Sequence, residues 1–162
     1  MLLRPTRLED AAFVLELVNT PKWLQFIGDR EVRTIDDARQ YIKQKIFPQL
    51  ERLGFANYTM IRKEDNAKMG SCGLYDRVGL PGVDIGFALL PEFEQQGYAY
   101  EAASRILKAG LEEFGLPEVS AITAKANIRS QRLLEKLGLT FKKHIKLPND
   151  EEELCLYQLS IA

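Results

Sequence analysis

Apolar residues recur along this chain with two spacings, and the spacing switches several times. Leu8, Ala11, Ala12, Leu15 and Val18 fall at helical intervals and predict a helix over residues 7–18. Thr6 stands ahead of it as an N-cap, and Glu9 three residues on completes a capping box. Residues 2–4 start a strand, and Asn19-Thr20-Pro21 stops the helix. Trp23, Phe26 and Ile27 fall in a short irregular stretch. Thr34 caps a second helix, whose apolar positions run from Ala38, Tyr41, Ile42 and Ile46 out to Leu50. Pro48 threatens to kink or end it, because proline has no N–H to give.

From Phe55 the period becomes two. Residues 55–61, 68–75 and 83–90 read as strands separated by turns at Glu64-Asp65-Asn66 and Leu80-Pro81-Gly82. Val83, Ile85, Phe87 and Leu89 share one face, and Pro91 ends that ladder. Residues 98–114 form a strong amphipathic helix with Ala99, Ala102, Ala103, Ile106, Leu107 and Leu111 inward. A strand over 119–124 follows. A helix then begins at Asn127, with Leu133, Leu134 and Leu137 inward and Gly138 as its stop. Residues 139–146 and 153–161 alternate as a terminal strand pair. The order β-α-α-β-β-β-α-β-α-β-β contains one β-α-β crossover, from Val83 through the long helix to Ala124, and its two strands must be parallel. The expected architecture is an α/β (α+β mixed) domain spanning residues 1–162. Its mixed, mostly antiparallel sheet has about seven strands and is flanked by four helices.

Composition narrows the function classes. The 162 residues suit one domain, and 46% hydrophobic with 28% charged residues is ordinary for a globular chain. Lys and Arg number 22 against 23 Asp and Glu, so no basic excess points to nucleic acid or an anionic membrane. The acidic stretch 150–153 reads as a solvated hairpin loop. Cys72, Cys155 and His144 cannot complete a four-ligand zinc site, so no metal is expected. The cysteines read as strand residues and His144 as a strand surface residue. Charges interrupt the first ten residues too early for a signal peptide, and no apolar run spans a bilayer. The expected location is therefore cytoplasmic.

Two segments concentrate chemistry. In residues 83–103 a strand ends, a polar loop follows, and Gly97 opens a helix. Helix N-termini carry unpaired amides and partial positive charge, which suits phosphate. Gly97 is equally readable as a turn glycine. No Gly-Lys-Ser/Thr follows, and the three glycines of a dinucleotide fingerprint are missing. In residues 121–141, Asn127 and Ser130 flank a helix start after a strand, where Asn is also an ordinary N-cap.

Taken together the segments resemble the GNAT superfamily, especially the branch of ribosomal-protein N-terminal acetyltransferases. The likeness rests on Asp84-Ile85-Gly86-Phe87-Ala88-Leu89-Leu90-Pro91, Gln96-Gly97-Tyr98-Ala99-Tyr100-Glu101-Ala102, Asn127-Ile128-Arg129-Ser130 and Leu133-Leu134-Glu135-Lys136-Leu137-Gly138-Leu139, with the opening Leu2-Leu3-Arg4-Pro5-Thr6. The family pattern Arg/Gln-x-x-Gly-x-Gly/Ala keeps Gly97 and Ala99 but has Glu94 at its first position. Glu94 is expected to point outward while Gln95 and Gln96 supply polar contacts.

The resemblance implies acetyl-CoA as cosubstrate and an acetyl transfer to a primary amine, either a protein N-terminus or a small amine. It places the pantetheine arm against Phe87, Ala88, Leu89 and Leu90, and the pyrophosphate on Gln95, Gln96, Gly97, Tyr98 and Ala99. Asn127 would bond the arm near the thioester, and Ser130 would protonate the departing thiolate. Asp84 is the candidate base; its other reading is a strand-start residue bonding a neighbouring loop. Tyr75 and Glu101 are further candidates, Glu101 more plainly a first-turn helix residue. Trp23, Phe26, Tyr41 and Tyr75 are expected to wall the acceptor site, or else to be core. An α-amine is roughly a tenth neutral at pH 7 and a lysine only about 0.04%, so a terminal amine needs less base catalysis. Two other readings stand beside this one: an acyl-CoA-binding sensor without turnover, and a nucleotide-binding regulator, which the missing Lys-Ser/Thr disfavours. The expected partners are acetyl-CoA and an amine, with neither nucleic acid nor membrane. The expected oligomeric state is a monomer or homodimer.

Overall fold

A computed structural model of the chain describes residues 1–160. Seven strands form one sheet in the order β1-β2-β3-β4-β5-β7-β6. They are β1 (Leu2–Pro5), β2 (Asn57–Ile61), β3 (Lys68–Tyr75), β4 (Asp84–Leu89), β5 (Glu118–Ala124), β6 (Thr140–Ile145) and β7 (Leu154–Ser160). Every neighbouring pair is antiparallel except β4 and β5, which the long helix α5 (Tyr98–Glu112) joins as a crossover. The mixed sheet and its single crossover are as expected. Ile161, expected in the last strand, lies outside the described residues. No described helix is long and apolar enough to cross a membrane.

Pairing fixes which face of the sheet each residue joins. Leu74 stands opposite Ile85, and a Cβ on Gly110 of α5 would lie 3.1 Å from a Leu74 methyl, so α5 covers the Leu74–Ile85 face. Ala102, Ala103, Ile106 and Leu107 are buried there, as the helical stripe predicted; Ala109 and Gly110 join them, while Leu111 is half-buried. The opposite face carries the pairs Tyr75–Asp84 and Gly73–Gly86. α1 (Ala11–Val18), α2 (Pro21–Phe26), α3 (Ile35–Tyr41) and α4 (Phe47–Leu53) belong to the chain that roofs this side. α6 (Ile128–Lys136) packs against β5 and β6. Cys72 and Cys155 are buried strand residues with free thiols, and burial pushes the Cys72 thiol up to about 12.

Three local expectations need correction. Thr6 does not cap the first helix. Its hydroxyl is buried against the Thr59 hydroxyl at 2.9 Å, and Asp10 supplies the return bond instead, accepting from the Arg7 N–H at 2.9 Å. The helix accordingly begins with a 3₁₀ turn, Leu8–Asp10. The stretch around Trp23 is not irregular: Thr20 accepts from the Trp23 N–H and Pro21 stands at the first turn, where its missing N–H costs nothing, so α2 forms. It adds a short helix to the four expected. Pro48 neither kinks nor ends the second helix; Ile42–Ile46 widens into a π segment and Pro48 falls in the first turn of α4. The expected cap at Thr34 is present, accepting from the Asp37 N–H at 3.0 Å.

Candidate active site

β4 and β5 are paired at one register only, Asp84 opposite Ser120, where the Ser120 N–H donates to the Val83 carbonyl at 2.9 Å. Beyond it the two strands diverge. Backbone groups alternate sides along a strand. The Leu90 N–H donates to the Met69 carbonyl at 2.8 Å on the β3 side, and the Val83 carbonyl faces β5. The same alternation turns the backbone of Phe87 and Leu89 toward β5, where no strand answers them. An open edge of this kind takes an extended ligand as an added strand. Leu90, expected among the contacts, is excluded: its amide is used by Met69 and its side chain is 4% exposed in the core.

The opening ends at a tight loop. Gln95 and Gly97 both take left-handed backbone, with φ 61° and 87°. Gly97 caps α5 without any side chain, and the first intrahelical bond is Glu101 N–H to the Gly97 carbonyl at 3.1 Å. The N–H groups of Tyr98, Ala99 and Tyr100 therefore have no acceptor within the helix. A Cβ at Gly97 would meet nothing within 4 Å, so the backbone angle, not crowding by the protein, calls for glycine.

Two loop expectations change. Glu94 does not point outward; it is one-fifth exposed and lines the cavity, ion-paired with Lys22 of α2 and lying 3.8 Å from Arg129 of α6. Two cations flank the one carboxylate, which removes the repulsion it would otherwise offer an anion. Gln96 does not line the cavity; its amide donates back to the Glu92 carbonyl at 3.0 Å and its side chain is exposed. Gln95 does line it. With its oxygen turned toward Arg129, its amide accepts from both terminal guanidinium nitrogens at 2.7 and 2.8 Å.

Across the opening, β5 delivers the chain to α6. Asn127 is the N-cap, its Oδ1 accepting from the Ser130 N–H at 3.3 Å. The N-cap reading thus holds, and Asn127 and Ser130 also line the cavity. Capping uses the Asn127 carbonyl and leaves its Nδ2 donors without a partner among the described residues, as is the Ser130 hydroxyl.

At the other end stand Trp23, Phe26, Tyr41 and Tyr75, all lining the cavity. Trp23 Nε1 is buried without an acceptor among the described residues, a rare condition for a buried donor. The Tyr75 hydroxyl donates to Asn57 Oδ1 at 2.5 Å, and Asn57 Nδ2 donates to Thr6 Oγ1 at 2.8 Å, making a polar floor. Burial raises the Tyr75 phenol well above its ordinary range, so it stays protonated. Asp84 is 1% exposed, and both its oxygens accept from Arg77 Nε, at 2.9 and 3.0 Å. Burial raises its carboxyl above the ordinary carboxylate value against the opposing effect of Arg77. Glu101 is exposed and does not line the cavity, and His144 lies exposed on β6, away from it.

One cavity of about 1400 Å³ joins the strand opening, the α5 N-terminus, the α6 cap and the aromatic end. Residues 1–140 match the acetyltransferase (GNAT) domain family. The chain belongs to the GNAT family. Among GNAT relatives, it is 27% identical over 154 residues to the uncharacterized N-acetyltransferase YnaD of Bacillus subtilis (strain 168), covering 93% of this chain and 87% of that protein. Its fold is that of the ribosomal-protein-S5-alanine acetyltransferase of Vibrio fischeri, at TM-score 0.81 and 16% identity over 98% of this chain and 91% of that one. It is equally that of the Vibrio cholerae spermidine N-acetyltransferase solved with CoA and spermine, at TM-score 0.80 and 13% identity over 98% and 94%. Sequence reasoning found the GNAT loop and cap but missed Lys22, Arg77 and Arg129 as cavity residues. Arg129 lies inside the recognised segment, whereas Lys22 and Arg77 had no local signal beyond their charge.

Proposed function

We propose that this protein transfers an acetyl group from acetyl-CoA to a primary amine, a protein N-terminus or a small molecule, by direct attack. The observation that carries this reading is the parting of β4 from β5 beside the uncapped N-terminus of α5. An acyl-pantetheine diphosphate needs an amide edge for its arm and fixed donors for its diphosphate, and both lie in one cavity here. When bound, the thioester supplies an electrophilic acyl carbon and a thiol leaving group of ordinary pKa near 8.5.

The chain's own residues then have distinct tasks. The N–H groups of Tyr98, Ala99 and Tyr100, with the Lys22–Glu94–Arg129 cluster behind them, hold the anionic end. Phe87 and Leu89 align the arm through their backbone and offer N–H groups to an oxyanion. The Asn127 Nδ2 donors orient the arm near the reacting carbon, and the Ser130 hydroxyl gives a proton to the departing sulfur. Asp84 is assigned to take the proton of the amine, helped by the upward shift that burial gives it. Trp23, Phe26, Tyr41 and Tyr75 exclude water from the acceptor end.

A second reading, acyl-CoA binding without turnover, has one observation in its favour: the oxygens of Asp84 are tied to Arg77 and almost fully buried. Thiol release from acetyl-CoA with a panel of peptides and small amines separates the two. Transfer predicts amine-dependent release, falling about 10²-fold in Asn127→Ala with the fold intact, and falling also in Asp84→Asn. CoA binding with no amine-dependent release supports the sensor.

A further inference from the structure

Five cations and three carboxylates line the cavity of a chain whose formal net charge is −1. Each carboxylate already has a cation. Glu94 has Lys22 and Arg129, Asp84 has Arg77 at 2.9 Å, and Asp76 has Arg52 at 2.9 Å. Lys22 and Arg129 pair with Glu94 of the loop where the diphosphate is expected. Arg77 sits at the opposite end, between β3 and β4, and Arg30 and Lys45 have no ion-pair partner among the described residues. Lys45 lies one helical turn before Gln49. Gln49 is fastened to that same end of the sheet, donating to the Leu74 carbonyl at 2.8 Å and accepting from the Asp76 N–H at 3.0 Å.

The setting of Arg77 is the most specific feature. Its Nε is held from behind by Asp84, and its guanidinium lies over the Tyr75 ring, 5.2 Å from the centroid. Neither terminal nitrogen has a protein partner among the described residues. Nη2 lies 4.0 Å from where a Cβ on Gly86 would stand, above β4 near the point at which it parts from β5. A guanidinium fixed on one edge and stacked on a ring, with its other edge empty, is preorganised for a bidentate oxyanion.

We infer that the acceptor is an amine carrying a carboxylate, which the free edge of Arg77 binds while Lys45 and Arg30 add positive potential, and that a polyamine is rejected. The inference rests on the transferase reading above and names its substrate class. A cationic acceptor would bring like charge to Arg77 and Lys45 at this end, where Asp84 and Asp76 are already paired, whereas a carboxylate brings opposite charge. Arg77 acts here as a specificity-determining residue.

The test compares three acceptors of acetyl-CoA on the full chain: an amidated dipeptide with glutamate at its second residue, the same dipeptide with glutamine, and spermidine. The two dipeptides have nearly the same amine and differ by one charge. The expected result is about a tenfold higher kcat/KM for the glutamate dipeptide than for the glutamine one, carried mainly in KM, with spermidine lowest. Arg77→Gln should bring the glutamate-to-glutamine ratio close to one. The double substitution Arg30→Gln with Lys45→Gln, at exposed positions that do not hold the fold, should narrow it. A preference for spermidine or the glutamine dipeptide, or a ratio unchanged in both variants, overturns the inference while leaving transfer itself in place. Calorimetric titration of the CoA-loaded protein with the same three compounds reads the preference without turnover. Weaker binding of the glutamate dipeptide than of spermidine there would equally overturn it. Failure to bind CoA at all would instead count against the transferase reading.

Discussion

Asp10 shows how much a single residue can carry unseen by pattern. It is 0% exposed, yet it accepts from Arg4 at 2.7 and 2.8 Å, from the Arg7 N–H at 2.9 Å and from Thr59 at 3.2 Å, and pairs with Lys68 at 2.7 Å. Burial alone would raise its carboxyl, but these donors outweigh burial and hold it far below the ordinary carboxylate range. A depressed carboxyl stabilises the fold fully above its unfolded pKa near 3.9, and that stabilisation is lost as pH falls toward the folded value. Asp10→Asn should therefore cost roughly 3 kcal/mol at pH 7, since it leaves Arg4 and Lys68 without their anion. Urea unfolding of wild type and variant should show the gap closing below about pH 4. The sequence suggested a cap at Thr6 and Glu9, one register away from the residue that does the work. Spacing along a helix start cannot reveal that Arg4 and Lys68, on different strands, converge on Asp10.

At the scale of elements, strands and long helices were legible because period two and period 3.6 separate cleanly when one face is buried. Residues 98–112 and the strands β2 to β5 were read within a residue or two at most ends. The region from Pro21 to Leu53 was the harder one. Six-residue α2 is too short to show a period, and Pro48 argues against a helix unless the preceding turn widens, which periodicity does not record. Besides its buried Ala38, Ile42 and Ile46, that helical run is tied to the sheet through Gln49, which donates to the Phe55 and Leu74 carbonyls and accepts from the Asp76 N–H. Gln49→Ala strips partners from three backbone groups and should cost about 2 kcal/mol, lowering Tm by about 4–8 °C in a thermal melt. It should also loosen the wall that carries Tyr41 and Lys45. A melt unchanged from wild type would show that side-chain packing alone positions the run.

For the whole molecule, the cavity results from one topological fact: a single parallel pair inside an otherwise antiparallel sheet, joined by α5 and allowed to part after one register. The crossover was readable from the order of elements, and Gly97 and Asn127 from their motifs. The width of the parting, and the charges that gather around it from α2, the β3–β4 loop and α6, come from chain segments far apart in sequence. No local pattern encodes them. Glu94 illustrates this. Read alone it is a departure from the family loop, but in the fold Lys22 and Arg129 turn it into the centre of a cluster with positive excess.

The most direct measurement is calorimetric titration of the protein with CoA, comparing wild type with Gly97→Val. A Cβ at Gly97 meets no protein atom within 4 Å, so the substitution acts through the left-handed backbone and through whatever ligand approaches it. Saturable binding to wild type, weakened at least about tenfold in a variant that still folds, is the predicted result. No binding to wild type, or equal affinity in both proteins, would contradict a diphosphate seated on the amides that open α5.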